Sequence, residues 1–558
     1  MAVRTGGEIL VANLVAQRVT HAFGVPGESY LAVLDALHDV RDQLPFVICR
    51  QEGGATYTAE AYGKLTGRPG VVFVTRGPGA TNAAVGIHTA AQDSTPLVAF
   101  VGQIGSDTVD REAFQEIDYR RMYSGVAKWA AQIDRADRIP EYVAHAFRIA
   151  MSGRPGPVVL ALPEDMLTAR ADVADAPYIE AVAAAPAREA VAEVERRLRD
   201  AKRPLVIVGG SRWDAAARAA LQRFAEASGL PIACAFRHQD LFDNRHSNYA
   251  GDVGIGINPQ LAARVRDADV LLVIGERLGE MTTSGYTLLD VPNPRQSLLH
   301  VHPGAEELGR VYQPQVAIAA TPGAFLAQVD ARAARPAATA AHAGTVHDEY
   351  ESWRAPRAVP GDVDLWRIVR WLDETLPADA ILTNGAGNYA TWVHRVYRYG
   401  GSRRQLAPYS GSMGYGVPAA VAAKLVHPAR TVVSWNGDGC FLMNGQELAT
   451  AVQHGLRIVF VVIDNGMYGT IRMHQEREYP ARVSGTNLVN PDFAALARAY
   501  GAHGETVVAT DQFAPAFERA QRAYRPSLLH VRIDPQALTM GASLDALRAQ
   551  GLERQRAS

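Results

Sequence analysis

The chain has 558 residues, too many for one hydrophobic core, and a prior of about 150 residues per domain predicts three or four domains. Its 56 basic and 58 acidic residues leave a net charge of −2, which argues against a nucleic-acid partner or an anionic membrane surface held by bulk electrostatics. No run approaches the roughly 18 apolar residues of a membrane span, and the three scattered cysteines lack metal-site spacing, so we expect a reducing compartment and, by default, the cytoplasm.

Short apolar runs of strand length recur along the chain and alternate with segments of helical periodicity. This alternation is typical of α/β layers built around parallel sheets. The clearest runs are 46–50, 70–75, 96–102, 204–210, 270–275, 431–437 and 458–465. Two alanine-rich stretches, 171–190 and 331–345, have the composition of linkers within which short helices can form. We therefore predict three domains, over 1–170, 190–330 and 355–545.

An internal echo links the first and third of these domains. Gly77-Pro78-Gly79 follows one apolar strand, and Gly437-Asp438-Gly439 follows another 360 positions later. The next apolar strands begin at Leu97 and Ile458, 361 positions apart. The echo predicts two similarly wired α/β domains that flank a third. The alternative is a chance recurrence of glycine turns, which are common in any α/β protein.

Two polar clusters end neighbouring strands in the third domain, at 436–440 and 464–469. Parallel sheets bind ligands beyond the carboxyl ends of their strands. Gly437 and Gly439 let the backbone approach a diphosphate, and a helix predicted over 446–455 would point its amino end toward it. Because an acid repels phosphate, Asp438 between the glycines indicates a bridging cation. The alternative is structural, since GDG and DNG are both common turn sequences.

Magnesium suits such a site, because it takes few protein oxygens and completes its shell with phosphate and water. We predict that the ion is held by the Asp438 carboxylate, the amide oxygen of Asn465 and a backbone carbonyl near Met467.

The segment NGDGCFLMN…IDNGMYG, with 25 residues between Gly439 and Asn465, resembles the signature of thiamine diphosphate (ThDP) enzymes. The resemblance extends over nearly the whole chain and is closest to acetolactate synthase. It implies pyrimidine-binding, central Rossmann-like and diphosphate-binding domains, with ThDP and Mg²⁺ as cofactors. One departure is Asp464, which replaces the first asparagine of the family's pair. The cofactor contacts implied by the signature are Gly437, Asp438, Gly439, Cys440, Asn465, Met467, Tyr468 and Gly469.

Glu52 lies in a segment, Arg50–Gly54, that resembles the family's glutamate segment. The resemblance implies that Glu52 sits by the aminopyrimidine ring of ThDP bound to a neighbouring subunit. Protonation of that ring converts its amine into an imine, which can serve as the base for the reactive thiazolium carbon. A carboxyl group shares this proton best if burial raises its pKa. The alternative is a solvated capping residue at the start of a helix.

Further positions are implied by the same resemblance. Met413 would separate the two rings of the cofactor, and the Gly411 carbonyl would accept a hydrogen bond from its amine. The remaining implied positions are Asn388 and Tyr389 beside the diphosphate, and Asn82, Gln103 and Gln115 in the active-site lining.

Several departures from acetolactate synthase bear on the substrate. Glu28 and Ser29 replace two small residues, and in pyruvate decarboxylase relatives the first position is an acid that handles protons. Glu28 is thus either a second active-site acid or an exposed loop residue. Gln51 replaces a histidine, and His474 replaces the tryptophan that selects larger keto acids. The family's lysine near the substrate entrance has no counterpart around 129–134.

The central domain leaves the flavin question open. It keeps the strand pattern, but the run after Arg277 departs from the family's flavin-contacting sequence. Either FAD binds there, or the domain is a scaffold with an empty or vestigial nucleotide cleft, which is the interpretation we favour.

These observations predict a ThDP- and magnesium-dependent enzyme that decarboxylates a 2-keto acid and ligates the product to a second carbonyl compound, a 2-keto acid or an aldehyde. A plain 2-keto acid decarboxylase or 2-hydroxyacyl lyase is the alternative that Glu28 and His474 favour. A nicotinamide or flavin oxidoreductase would need GxGxxG after a strand, which PLVIVGGSRWD lacks. A non-catalytic protein of this fold fits poorly with the retention of Glu52, Asp438 and Asn465. We expect a homodimer or homotetramer, because Glu52 and the 437–439 turn would meet across an interface.

Overall fold

The computed structural model describes residues 3–330, 332 and 340–557. The predicted linker 331–345 therefore lies partly outside the described residues, at 331 and 333–339. The chain forms two compact units, Met1–Val182 with Val421–Val426 and Ala183–Ala420 with His427–Ser558. The first unit contains one six-stranded sheet, and the second contains two.

The N-terminal sheet is parallel and has the order β3-β2-β4-β5-β7-β6, while the short strands β1 and β8 pair antiparallel beside it. Its central strands are buried along their whole length, because helices cover both faces. The strands are β1 Arg4–Thr5, β2 Ala22–Gly24, β3 Phe46–Ile48, β4 Gly70–Val74, β5 Leu97–Gln103, β6 Trp129–Gln132, β7 Pro157–Pro163 and β8 Arg170–Ala171. The helices are α1 Gly6–Ala16, α2 Leu31–Asp39, α3 Glu52–Thr66, α4 Gly77–Asp93, α5 Tyr119–Tyr123, α6 Ile139–Met151 and α7 Glu164–Thr168.

The central sheet is also parallel, in the order β11-β10-β9-β12-β13-β14, which is the wiring of dinucleotide-binding folds. Its strands are β9 Pro204–Val208, β10 Ile232–Ala235, β11 Tyr249–Val253, β12 Val270–Ile274, β13 Ser297–His302 and β14 Val316–Ala319. Its helices are α8 Arg188–Asp200, α9 Ala215–Ser228, α10 Pro259–Asp267, α11 Pro322–Leu326 and α12 Ala340–Trp353.

The C-terminal sheet has the order β16-β15-β17-β18-β20-β19 and is parallel throughout. Its strands are β15 Ile381–Asn384, β16 Arg404–Leu406, β17 Val432–Gly437, β18 Val459–Asp464, β19 His503–Val507 and β20 Ser527–Arg532. The helices are α13 Leu365–Thr375, α14 Ala390–Arg395, α15 Gly416–Val426, α16 Asp438–Asn444, α17 Glu447–Gln453, α18 Gly469–Glu478, α19 Phe493–Ala499, α20 Thr510–Arg522 and α21 Leu544–Ala557.

The predicted fold class is confirmed, and so is the echo between the outer domains. Each of the seven apolar runs contains a parallel strand. With strands numbered from one within each six-stranded sheet, the first and third sheets share the order 2-1-3-4-6-5. In the described part of the chain, no helix has both the length and the apolar character needed to cross a membrane.

The helix predicted over 446–455 is present as α17, Glu447–Gln453, but another helix lies between it and the glycine turn. The chain enters α16 directly at Asp438, and α17 follows only at Glu447. Gly437 keeps an extended backbone and Asp438 begins the helix, so the turn itself forms the amino end of a helix.

Candidate active site

Asp438 is a buried carboxylate at the carboxyl edge of the C-terminal sheet, immediately after β17, and is only 4% exposed. It accepts hydrogen bonds from the backbone amides of Gly439 at 2.9 Å and Gly466 at 3.0 Å, and from the Asn490 side chain at 2.8 Å. All three donors are neutral. Burial therefore raises the pKa of Asp438 to about 6, despite these hydrogen bonds.

Asp464, which ends the neighbouring strand β18, shares two of these donors. Its carboxylate accepts from the Gly466 amide at 3.0 Å and from Asn490 at 2.8 Å, and His530 Nε2 lies 2.8 Å from its second oxygen. Burial acts to raise the pKa of Asp464, but the hydrogen bonds from His530 and Asn490 lower it to about 2. Asp464 thus has the His530 imidazole as a partner, whereas the hydrogen bonds to Asp438 come from two backbone amides and the Asn490 side chain.

The loop after β18 brings the predicted ligands Asn465 and Met467 to the same edge. Gly466 has a φ of +67°, a left-handed backbone that suits glycine. The Asn465 amide oxygen accepts from the Met467 amide at 3.2 Å, and Met467 pairs with Asn487 in an isolated bridge. The loop is therefore held in place by the segment around 486–488.

Aromatic rings pack directly on the glycine turn. A Cβ on Gly437 would stand 2.5 Å from the Tyr389 ring, and one on Gly439 would stand 2.6 Å from the Tyr468 ring. Only glycine fits at both positions, because the two rings approach the backbone of this turn too closely for a side chain. Gly469, at the start of α18, lies against the Asn465 amide in the same way.

Cys440 joins the turn to two other predicted segments. The Tyr389 hydroxyl donates to its sulfur at 3.0 Å, and the Gly414 amide donates to it at 3.2 Å. The nearby Gly411 has a φ of +71°, and Met413 is half-buried. The structure thus brings 389, 411–414 and 437–440 together.

The Asn388 side chain is hydrogen-bonded to two other segments of the protein. Its side-chain oxygen accepts from the Thr470 hydroxyl at 3.0 Å, and its amide donates to the Leu538 carbonyl at 3.2 Å. These bonds tie its loop to the start of α18.

Glu52 is the first residue of α3, at the carboxyl edge of the N-terminal sheet, and is half-buried. The capping residue is Gln51, whose side chain accepts from the Gly54 amide at 3.0 Å. Glu52 instead accepts from the Asn82 side chain at 3.0 Å through Oε2, and its Oε1 lies 3.3 Å from the position of a Cβ on Gly79. Helices α3 and α4 therefore position this carboxylate together.

The other predicted residues of this unit differ in placement. The Glu28 side chain is 88% exposed and lies 3.9 Å from an Arg76 nitrogen. The Gln115 carbonyl accepts from the Gly77 amide at 3.1 Å, which places Gln115 at the start of α4. The Gln103 side chain donates to the Ile117 carbonyl at 2.8 Å. His474 is exposed on α18.

The sequence patterns missed four residues of these two edges: Asn490, His530, Arg76 and Tyr119. Asn490 and His530 come from segments far along the chain from the two motifs. Their contacts depend on strand order, for which no local pattern exists. Within the described ranges, no group of three or more histidine, cysteine, aspartate or glutamate side chains is arranged to hold a metal.

Comparison with known families finds three matching domain models. The thiamine pyrophosphate enzyme N-terminal TPP binding domain matches residues 4–122, the central domain matches 191–329, and the C-terminal TPP binding domain matches 385–531.

Curated relatives match nearly end to end. The chain is 32% identical over 535 residues to the acetolactate synthase isozyme 2 large subunit of Escherichia coli (strain K12), covering 95% of each protein. It is 32% identical to the acetolactate synthase large subunit of Corynebacterium glutamicum, over 93% of this chain and 84% of that protein. A probable acetolactate synthase large subunit of Methanocaldococcus jannaschii is 29% identical over 96% of this chain and 93% of its own length.

Proposed function

The chain belongs to the thiamine pyrophosphate enzymes and is acetolactate synthase-like, and from that premise we propose that it decarboxylates a 2-keto acid and joins the remaining fragment to a second 2-keto acid or an aldehyde. The observation that carries the proposal is the buried Asp438 carboxylate in a glycine turn at the carboxyl edge of a parallel sheet. A cation beside this carboxylate would offset the cost of burying its charge.

The residues at this edge fit a magnesium-bound diphosphate. Asp438 has only neutral donors, and a buried oxygen of Asn490, Oδ1, has no hydrogen-bond partner within the described residues. In the proposal, Asp438, the Asn465 side chain and the Met467 carbonyl hold Mg²⁺, and the glycine turn at 437–439 receives the diphosphate. Bound ThDP supplies a nucleophilic carbon and an electron sink for decarboxylation.

Glu52 has the role of a proton carrier in this proposal. Asn82 donates a hydrogen bond to one of its oxygens, while the other oxygen lies next to Gly79. Glu52 would share a proton with a ring nitrogen of the cofactor, and Asn82 would fix the orientation of the carboxylate.

The proposal includes a homodimer or homotetramer, in which Glu52 of one subunit serves the cofactor held at Asp438 of another, as the family resemblance implies. It also places the enzyme in the cytoplasm, in keeping with three buried cysteines, Cys49, Cys234 and Cys440, that form no disulfide bond with one another.

The central domain does not fit FAD, and we propose that the enzyme works without it. In this wiring a dinucleotide approaches the glycine turn after the first strand, here Gly209-Gly210 after β9. A Cβ on Gly209 would clash with the carboxylate of Glu276, which is 1% exposed. Trp213 also covers the turn, since its ring nitrogen donates to the Gly209 carbonyl at 2.8 Å. A buried acid at this position would repel a diphosphate.

The flavin proposal is tested on the purified protein. We expect no flavin fluorescence after denaturation and no heat of binding on titration with FAD. Stoichiometric FAD released from the protein would contradict it.

The proposed reaction is tested by product analysis. The purified protein is incubated with ThDP, Mg²⁺ and a panel of 2-keto acids that begins with pyruvate, and the products are identified by mass. Acetolactate from pyruvate supports decarboxylation with ligation. Acetaldehyde alone would favour a non-ligating decarboxylase, the alternative suggested by the acid Glu28. Consumption of no 2-keto acid in the panel would overturn both.

A further inference from the structure

Arg76 places a cationic side chain at the carboxyl edge of the N-terminal sheet. It directly precedes α4, and its side chain is only 12% exposed. Its Nε is a buried atom without a hydrogen-bond partner among the residues described. Its ion-pair partner Glu28 is 3.9 Å away and 88% exposed, so water screens that pair strongly. The buried guanidinium therefore has an unmet capacity to bind an anion.

Tyr119 adds a second donor beside it. The ring is 2% exposed, and its buried hydroxyl makes no hydrogen bond of ordinary geometry within the described residues. Burial raises the pKa of Tyr119, while the Arg76 charge and the Gly77 amide act in the opposite direction. The hydroxyl is thus close to both groups and remains protonated. A buried donor without an acceptor destabilises the protein, and an anionic ligand at this position would remove that cost.

These donors belong to the same edge as Glu52. Strands β2 and β4 are parallel neighbours, so the Glu28 loop after β2 and Arg76 after β4 emerge side by side. Three residues beyond Arg76, Gly79 lies against the Glu52 carboxylate, and Asn82 donates to it. A substrate that reacts beside Glu52 would therefore have Arg76 and Tyr119 within its surroundings.

We propose that Arg76 and Tyr119 bind an acidic group that the substrate keeps through the reaction. This inference rests on the proposed function. The carboxylate that leaves as carbon dioxide is a poor candidate, because it loses its charge in the transition state and a cation would stabilise the ground state more. The bound group is either a second carboxylate at the far end of the donor 2-keto acid or the carboxylate of the acceptor.

The test compares matched substrate pairs. The donors are 2-ketoglutarate and 2-oxopentanoate, which have equal chain length with and without a terminal carboxylate. The acceptors are glyoxylate and acetaldehyde. The variants are Arg76→Gln, Arg76→Lys and Tyr119→Phe. Arg120→Gln is the matched control, because Arg120 follows Tyr119 but is 59% exposed and paired with Asp118.

We expect Arg76→Gln to lower kcat/KM for the acidic member of one pair by about 10- to 100-fold, the scale of a hydrogen bond to a charged group, and to change the neutral member by less than about twofold. Arg76→Lys should keep part of the preference, Tyr119→Phe should lose a smaller part, and Arg120→Gln should retain it. If only the donor pair shows this loss, the bound acidic group belongs to the donor; if only the acceptor pair shows it, the group belongs to the acceptor. Equal losses for both members, or no change, would overturn the proposal.

A binding measurement separates this inference from the proposed function. Calorimetry follows 2-ketoglutarate and glyoxylate binding to the wild-type protein and to Arg76→Gln without turnover, and a melting curve confirms that the variant is folded. Loss of binding in the variant supports the site even if the product panel fails. Equal binding by both proteins overturns the site even if ligation is observed.

Discussion

Asp438 and Asp464 share two hydrogen-bond donors, the Gly466 amide and the Asn490 side chain, yet their pKa values move in opposite directions. Burial acts to raise the pKa of both carboxyl groups and prevails at Asp438, whereas at Asp464 the hydrogen bonds from His530, Asn490 and Gly466 together outweigh it. The two adjacent carboxylates therefore differ in one partner, because of the two only Asp464 is hydrogen-bonded to His530. The protein compensates Asp464 itself, whereas under our proposal a cation compensates Asp438.

Replacing Asp438 tests the metal site. We expect Asp438→Asn to weaken Mg²⁺ binding by at least about 100-fold, because an amide removes the charge that holds the ion, and ThDP affinity should fall with it. Quenching of tryptophan fluorescence by ThDP at varied Mg²⁺ measures both. Asp464→Asn, which restores the residue usual in the family, is the matched control and should change Mg²⁺ affinity by less than about tenfold. An Asp438→Asn protein that saturates with ThDP at the wild-type magnesium concentration would remove the ion from this position.

Replacing Glu52 tests the proton carrier. Glu52→Gln keeps the shape but cannot hold a transferable proton, so we expect turnover to fall by about 100-fold or more while ThDP affinity stays within about threefold. Asn82→Ala, which removes only the hydrogen bond to the carboxylate, should cost less. Turnover unchanged in Glu52→Gln would exclude this role.

At single residues, the sequence predicted what short motifs carry. Asp438, Asn465 and the two glycines lie in local patterns, and the structure places them at one edge. Asn490 and His530 both contact Asp464 at that edge, although they lie 26 and 66 positions after it in the sequence. Arg76 and Tyr119 have no motif, and their significance lies in unmet hydrogen bonds that only coordinates reveal.

Among the elements, apolar runs located the strands because a parallel strand covered on both faces must be apolar throughout. Element ends were harder to predict. Helix α16 begins at Asp438 because the glycine turn is tight enough for the chain to enter a helix without a loop. Periodicity alone favoured the later segment, where α17 lies.

The packing of α3 against α4 fixes Glu52 relative to Asn82. A Cβ on Gly86 of α4 would overlap the side chain of Thr56 in α3, whose hydroxyl donates to the Glu52 carbonyl at 2.8 Å. We expect Gly86→Val to destabilise the protein by about 1–3 kcal/mol through overpacking and to reduce turnover by moving Glu52. Thermal unfolding and steady-state kinetics measure the two effects. Gly344→Ala is the control, because a Cβ there meets no atom of the residues that the structure describes and stability should be unchanged or slightly raised.

Glu476 links α18 to α21 and makes the free energy of unfolding depend on pH. Its buried carboxylate pairs with Arg548 and with Arg472, each at 2.9 Å, and the Arg548 hydrogen bond leads the effects that lower its pKa to about 2 from an ordinary 4.5. A depressed carboxyl pKa stabilises the folded state above the unfolded value, and the stabilisation is lost as pH falls toward the folded value. We expect Glu476→Gln to lower the free energy of unfolding by about 2–3 kcal/mol at pH 7, with the difference shrinking between about pH 4.5 and 2. A difference that stays constant over this range in denaturant titrations would contradict the assignment.

For the whole molecule, the two outer domains share one strand order and so present equivalent carboxyl edges. One edge carries Glu52, and the other carries Asp438. The echo of glycine turns 360 positions apart predicted this shared wiring. In the proposed assembly, the meeting of these edges would depend on a second copy of the chain, for which the sequence has no local pattern.

Mixing two inactive variants tests the shared site. If Glu52 of one subunit serves Asp438 of another, a mixed dimer of Glu52→Gln and Asp438→Asn chains contains one intact site and one doubly altered site. Random exchange of an equal mixture should then restore about a quarter of wild-type activity. Each variant mixed with itself is the control. A mixture that stays inactive after verified subunit exchange would place both residues in one chain's site.

The sulfur contact within the glycine turn bears on how the enzyme withstands oxidants. Burial raises the pKa of the Cys440 thiol and outweighs the hydrogen bonds from Tyr389 and Gly414, which act to lower it. Peroxides and alkylating reagents attack the thiolate, which this environment disfavours. The fold thereby shields a cysteine one residue away from the catalytic edge, and air exposure during purification should leave that edge chemically intact.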